Sequence, residues 1–160
     1  MKNVLVASLV AMTVATPALA ADFTGFRAGA TIGMADDNFL GDDAFTYGVN
    51  VGYDRAYGKV IAGVTAEYQE SEERGFGRDL SIAARLGTKV TDAALVYGLV
   101  GYTNQEFYGE GSIKLDGVRF GLGTEVAFNE QLFGTVEYRY TNYERGAELH
   151  QTLVGLGVRF

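Results

Sequence analysis

The chain offers little conventional catalytic chemistry. It has one histidine, His150, and no cysteine, so thiol nucleophiles and thiolate metal sites are missing and one imidazole cannot build the usual zinc site. A hydrolase needs a nucleophile within hydrogen-bond reach of a base, and the candidate pair is Ser112 with His150. The run DDNFLGDD gathers Asp36, Asp37, Asp42 and Asp43. Aligned on a calcium-binding EF-hand loop, Asp36, Asn38 and Gly41 fit, but Leu40 takes the fifth ligand position and Tyr47 that of the bidentate glutamate. The motif therefore reads as a solvated acidic loop. GLGTE at 121–125 resembles part of a dinucleotide fingerprint but lacks the third glycine and the helix that should follow. No cofactor is expected.

A second set of ions recurs with a period of two inside otherwise apolar or glycine-rich segments: Arg27, Glu67, Arg85, Arg119, Glu125, Glu137, Arg139 and Arg159. Such spacing puts each on one face of an extended strand. Eight alternating segments are legible, at about 23–34, 44–54, 59–69, 78–88, 93–103, 113–128, 132–142 and 149–160. Strand two, for example, sets Phe45, Tyr47, Val49, Val51 and Tyr53 against Thr46, Gly48, Asn50 and Gly52. The fifth segment is apolar on both faces, so its parity is open; Val96, Val100 and Tyr102 are taken as outward.

The connections alternate in kind. Those around 55–58, 89–92 and 129–131 are short, whereas ADDNFLGDD, ESEERGFG, NQEFYGEGS and YERGAE are long and charged. In an up-and-down meander the short turns gather at one end and the long loops at the other, the asymmetry of an outer-membrane barrel. The first twenty residues carry Lys2, an apolar run from Val4 to about Ala15 and a small-x-small ending at Ala18 and Ala20, the anatomy of a secretory signal peptide. Residues 21–160 then form one domain. Removing Lys2 takes the formal charge from −7 to −8, which disfavours nucleic acid as a partner.

Alternation alone does not say which face is outside. A soluble barrel with a greasy bore is the competing arrangement, but eight strands leave an interior just wide enough for side chains, and the many Phe, Tyr, Val and Leu residues would crowd it. The aromatics also segregate. Phe26, Tyr53, Phe128 and Phe160 fall near one end of the apolar face, and Phe45, Tyr47, Tyr68, Tyr102 and Tyr140 near the other, as interfacial belts do. The expected fold is therefore all-β, an eight-stranded antiparallel up-and-down transmembrane β-barrel with the ions inside. An arginine on the lipid face at mid-membrane would cost about 2–4 kcal/mol. Counting from the turn at 129–131, to within two residues of register, sets Arg139 opposite Gly121 and Glu137 opposite Gly123; a similar count across the closing seam sets Arg27 beside Gly157 and Arg159 beside Gly25.

With the signal segment, the eight strands, EYRY at Glu137–Tyr140 and the terminal GLGVRF, the chain resembles small outer-membrane β-barrels of the opacity-protein and outer-membrane-protein-A type. The resemblance spans the whole of 21–160 and rests on residue class. It implies an outer-membrane location with both ends periplasmic, long loops outside, and outer-membrane lipid and lipopolysaccharide as neighbours. Weak sharing of divalent ions between the acidic loop and lipopolysaccharide stays open. It also implies that Leu156, Val158 and Phe160 match the signal read by the barrel-assembly machinery, and that the peptidoglycan-binding domain of larger relatives, with its cell-wall tether, is missing. The leading reading is a structural or surface-interaction barrel, with the loops offered to an extracellular ligand. A narrow porin-like channel for small solutes comes second, and a lipid-modifying enzyme third.

Overall fold

The computed structural model describes residues 22–37, 43–72, 76–108 and 112–160; the expected signal segment lies outside them. The strands are β1 (Gly25–Asp37), β2 (Asp43–Tyr57), β3 (Val60–Ser71), β4 (Phe76–Lys89), β5 (Ala94–Tyr108), β6 (Ser112–Ala127), β7 (Leu132–Tyr143) and β8 (Glu148–Arg159). Each pairs with its sequence neighbours and β8 closes on β1, so the sheet is a barrel without a free edge. Closure satisfies the backbone hydrogen bonds that hydrocarbon cannot.

The short connections are built by local chemistry. Between β2 and β3 only Gly58 and Lys59 intervene, with Tyr57 paired to Val60 and Gly58 at φ +67°; a two-residue hairpin wants this left-handed entry, which glycine supplies cheaply. Between β6 and β7 the Asn129 side-chain oxygen accepts from the backbone N–H of Gln131 (2.9 Å) and Leu132 (2.7 Å), an Asx turn that reverses the chain. At the other end β7 meets β8 through a 3-10 turn at Glu144–Gly146.

The strands outrun the lengths read from sequence. The connection read as NQEFYGEGS is largely strand, since β5 continues to Tyr108 and β6 begins at Ser112. On β5 the extension opens with Asn104, Gln105 and Glu106, polar on both faces, which hides it from a hydrophobic pattern. Spanning needs only about 9–11 tilted residues, so this hairpin projects well beyond the apolar band.

Burial settles which face is which. Val51, Ile82, Leu86 and Leu122 are 60–70% exposed, whereas Arg119 is 2% and Glu125 0% exposed. A soluble protein does not display so continuous an apolar girdle; here it is the surface that meets lipid. Val96, Val100 and Tyr102 lie outward and Leu95, Tyr97 and Leu99 inward, which fixes the open parity of β5. No helix among the described residues is long and apolar enough to cross a membrane, and the strands do the crossing.

Candidate functional site: an ion-paired lumen

Because inward positions alternate along every strand, ions from seven strands converge in the bore. All eight sequence-derived ions are buried there, joined by Asp54 and Asp79. Among the described residues the buried set is thus five arginines and five carboxylates. They sort into three layers.

Nearest the short-turn mouth, Asp54 on β2 binds Arg27 Nε at 3.2 Å, Arg159 Nη2 at 3.2 Å and Arg85 Nη2 at 3.4 Å. Glu125 shares two of these, at 2.7 Å to Arg85 and 2.8 Å to Arg159. In the middle, Arg139 lies between Glu67 (2.8 Å) and Glu137 (2.6 Å); Thr31 donates to Glu67 and Tyr97 to Glu137. Towards the long loops, Arg119 pairs with Asp79 and donates to Thr141 (3.0 Å) and Ser81 (3.2 Å). A buried charge without a partner is strongly destabilising, and each carboxylate here has an arginine.

Apolar groups cap the layers at both ends. Phe23, Ile61, Leu95 and Ala127 pack together at the short-turn mouth, where Lys89 and Arg159 lie 5.2 and 5.4 Å from the Phe23 ring centroid. The chain enters this position through Gly25 at φ +127°, whose absent Cβ makes room for the carbonyl of Phe160. At the other mouth Ala35, Ala44, Tyr143 and Leu149 form a second cluster.

Several expectations need correction. At the seam Arg27 faces Arg159, and Gly157 faces Gly29; the count was displaced by two because no turn joins β8 to β1 to pin the register. The two arginines tolerate each other because Asp54 bridges both. Gly121 does oppose Arg139 and Gly123 does oppose Glu137, but the space over Gly121 is taken by Leu99, and that over Gly123 by Tyr97 together with Glu137. Asp54 and Asp79 were overlooked although each continues the inward parity of its strand by one step. Phe23 is the first residue of the first alternating segment and shares the inward parity of Arg27 and Thr31, but as an apolar residue on the polar face it is not singled out by the pattern.

Ser112 and His150 are not brought together. His150 is level with Tyr140 and, across β7, with Phe120, which leaves Ser112 eight residues further out on β6, about 25 Å along the strand. The partner of His150 is the Tyr138 hydroxyl, 2.7 Å from Nδ1. Among the described residues no three His, Cys, Asp or Glu side chains converge to hold a metal. Of the acidic loop, Asp36 is exposed and its backbone pairs with that of Asp43; Asp42 and the side chains of Asp37 and Asp43 lie outside the described set. Leu156, Val158 and Phe160 are exposed on the lipid face, and the Phe160 N–H donates to the carbonyl of Phe26.

Residues 6–160 match the family described as the outer membrane protein β-barrel domain. The chain belongs to that family. Membership places it in the outer membrane. Similar solved structures include Neisserial surface protein A, with a TM-score of 0.60 at 14% identity, covering 84% of this chain and 96% of the other. The N-terminal β-barrel domain of Pseudomonas aeruginosa OprF gives 0.61 at 18%, covering 82% and 96%. The outer membrane enzyme PagL gives 0.59 at 16%, covering 84% and 99%. At these identities the likeness is one of fold, and the fold carries a surface protein and an enzyme alike. No curated protein sequence matches significantly.

Proposed function

We propose that this outer-membrane barrel serves a structural or surface-interaction role with a closed lumen. Its termini face the periplasm and its charged loops face outward, among lipopolysaccharide and within reach of an extracellular ligand. The observation that supports it is the lumen: ten ions pair with one another in three layers between two apolar caps. A water-filled pore leaves its lining charges to solvent, whereas these arginines are 2–6% exposed.

Purified protein in planar bilayers is therefore expected to give no stable open conductance, with at most rare flickering. Steady porin-like currents would overturn the closed reading in favour of a narrow channel. The orientation has its own test. Protease added to intact cells should cut only at the four long connections, and cleavage at the Gly58 or Asn129 turns would reverse the proposed sidedness.

A further inference from the structure

The lipid face is not evenly filled. Its outward positions are largely Val, Ile, Leu, Phe and Tyr, but Ala62 on β3, Ala84 on β4 and Gly98 on β5 are small, and beside the ridges of Leu86 and Leu122 they floor a groove of about 790 Å3. Ala62 pairs with Leu86, Leu86 with Gly98 and Gly98 with Leu122. Since barrel strands tilt by about 35–45°, this row climbs obliquely away from the short-turn end. A Cβ at Gly98 would meet nothing closer than 3.7 Å, so packing within the wall does not demand this glycine. It leaves room on the side that meets lipid.

The charges at the two ends of the groove select its occupant. At the lower end Ala62 is the cross-strand partner of Arg55, three residues before the Gly58 turn. Arg55 is exposed and shares the outward parity of Tyr53 and Tyr57. Its Cζ lies 5.6 Å from the Tyr57 ring centroid, and among the described residues no carboxylate pairs with it. Lys59 follows in the turn, exposed, and its carbonyl accepts from the Lys89 N–H (2.9 Å), which brings a second and a third cation to this corner. Asp92 and Glu130 belong to the other two turns of this end. The upper end is different. There the Tyr140 hydroxyl donates to Glu148 (2.8 Å), and a carboxylate repels an anionic headgroup.

We infer that the groove holds one glycerophospholipid with a net negative headgroup, an acyl chain lying along Ala62, Ala84 and Gly98 and the phosphate at Arg55, with Lys59 adding charge. Tyr57 sits at headgroup level, where an exposed aromatic ring is well placed. Bulk lipid wets any apolar girdle, but it has no reason to select a headgroup; an exposed arginine without a carboxylate, at the mouth of a groove, does. Only the leaflet that supplies the lipid, the periplasmic one, rests on the sidedness proposed above.

The test is native mass spectrometry of the purified full chain, released from detergent micelles doped with equal amounts of phosphatidylglycerol and phosphatidylcholine of identical chains. One phosphatidylglycerol per protein is expected to be retained, favoured about fivefold over phosphatidylcholine, the factor expected of one basic side chain near an anionic headgroup. Arg55→Gln with Lys59→Gln should remove the preference. Gly98→Leu should fill the groove and lower retention of both lipids alike. Arg78→Gln is the control: Arg78 lies towards the long loops, paired with Glu106 at 3.4 Å, and its loss should leave the preference intact. Equal retention of the two lipids in the wild type overturns the site. So does a preference that survives Arg55→Gln with Lys59→Gln or falls as far in Arg78→Gln, and so does retention untouched by Gly98→Leu. A lipid-free dimer disrupted by Gly98→Leu would give the groove to a second copy instead. Micelles have no sides, so protease results that reversed the sidedness would leave this measurement standing and move the lipid to the other leaflet.

Discussion

Arg119 and Asp79 show how much a single lumen residue can matter. Arg119 spends its three nitrogens on Thr141, Ser81 and Asp79, so removing the carboxylate strands a fully buried cation. Asp79→Asn is expected to destabilise the barrel by about 3–5 kcal/mol, read as a shift of the urea midpoint in detergent micelles. Combining it with Arg119→Met should recover much of the loss, because no charge is then left buried without a counterion. A double variant no more stable than Asp79→Asn would contradict that account. Glycines obey the other constraint, volume. Gly121→Leu should cost about 1–3 kcal/mol through overpacking, and since Leu99 fills that space, Leu99→Ala should relieve it. No effect of Gly121→Leu would mean that the bore is roomier than the packing implies.

At the scale of the strand, β8 joins two requirements in one segment. Its outward residues Leu156, Val158 and Phe160 face lipid, while Arg159 enters the lower ion layer. Replacing Phe160 with aspartate is expected to lower the amount of protein assembled in the outer membrane, measured by fractionation, because the interfacial anchor and the expected assembly signal are lost together. Wild-type levels would separate the terminal aromatic from assembly. This strand also shows how far the sequence could be read. Alternation assigns Leu156, Val158 and Arg159 to faces because the strand period is two, and a turn fixes the register of β6 against β7. The seam register escaped because closure has no turn to count from, and the outward end of β5 escaped because Asn104, Gln105 and Glu106 put polar residues on both faces and carry no contrast. In the lumen, parity reveals which residues point inward, but not that Asp54 serves three arginines. That arrangement depends on barrel diameter and strand stagger, which belong to the closed sheet and to no single segment.

For the molecule as a whole, the cap at Phe23 predicts a graded effect. Phe23→Ala should lower thermal stability, read by the heat-induced shift in gel mobility, while conductance stays closed behind the ion layers; a variant that opens steadily would show that the cap alone blocks the bore. The pairing at Asp54 has a further consequence, one of timing. Taken in chain order, the lumen charges are Arg27, Asp54, Glu67, Asp79, Arg85, Arg119, Glu125, Glu137, Arg139 and Arg159, so the first seven strands together leave one net negative charge, which the final strand balances with its arginine. A barrel with seven strands in place thus keeps one net negative charge in its bore and a reason to stay hydrated. Docking of β8 removes the last free edges and the last unbalanced charge in the same event, which makes insertion of the final strand steeply cooperative. Arg159→Gln should therefore slow the last step of folding more than the earlier ones, and accumulate an open, protease-sensitive intermediate in pulse-chase experiments.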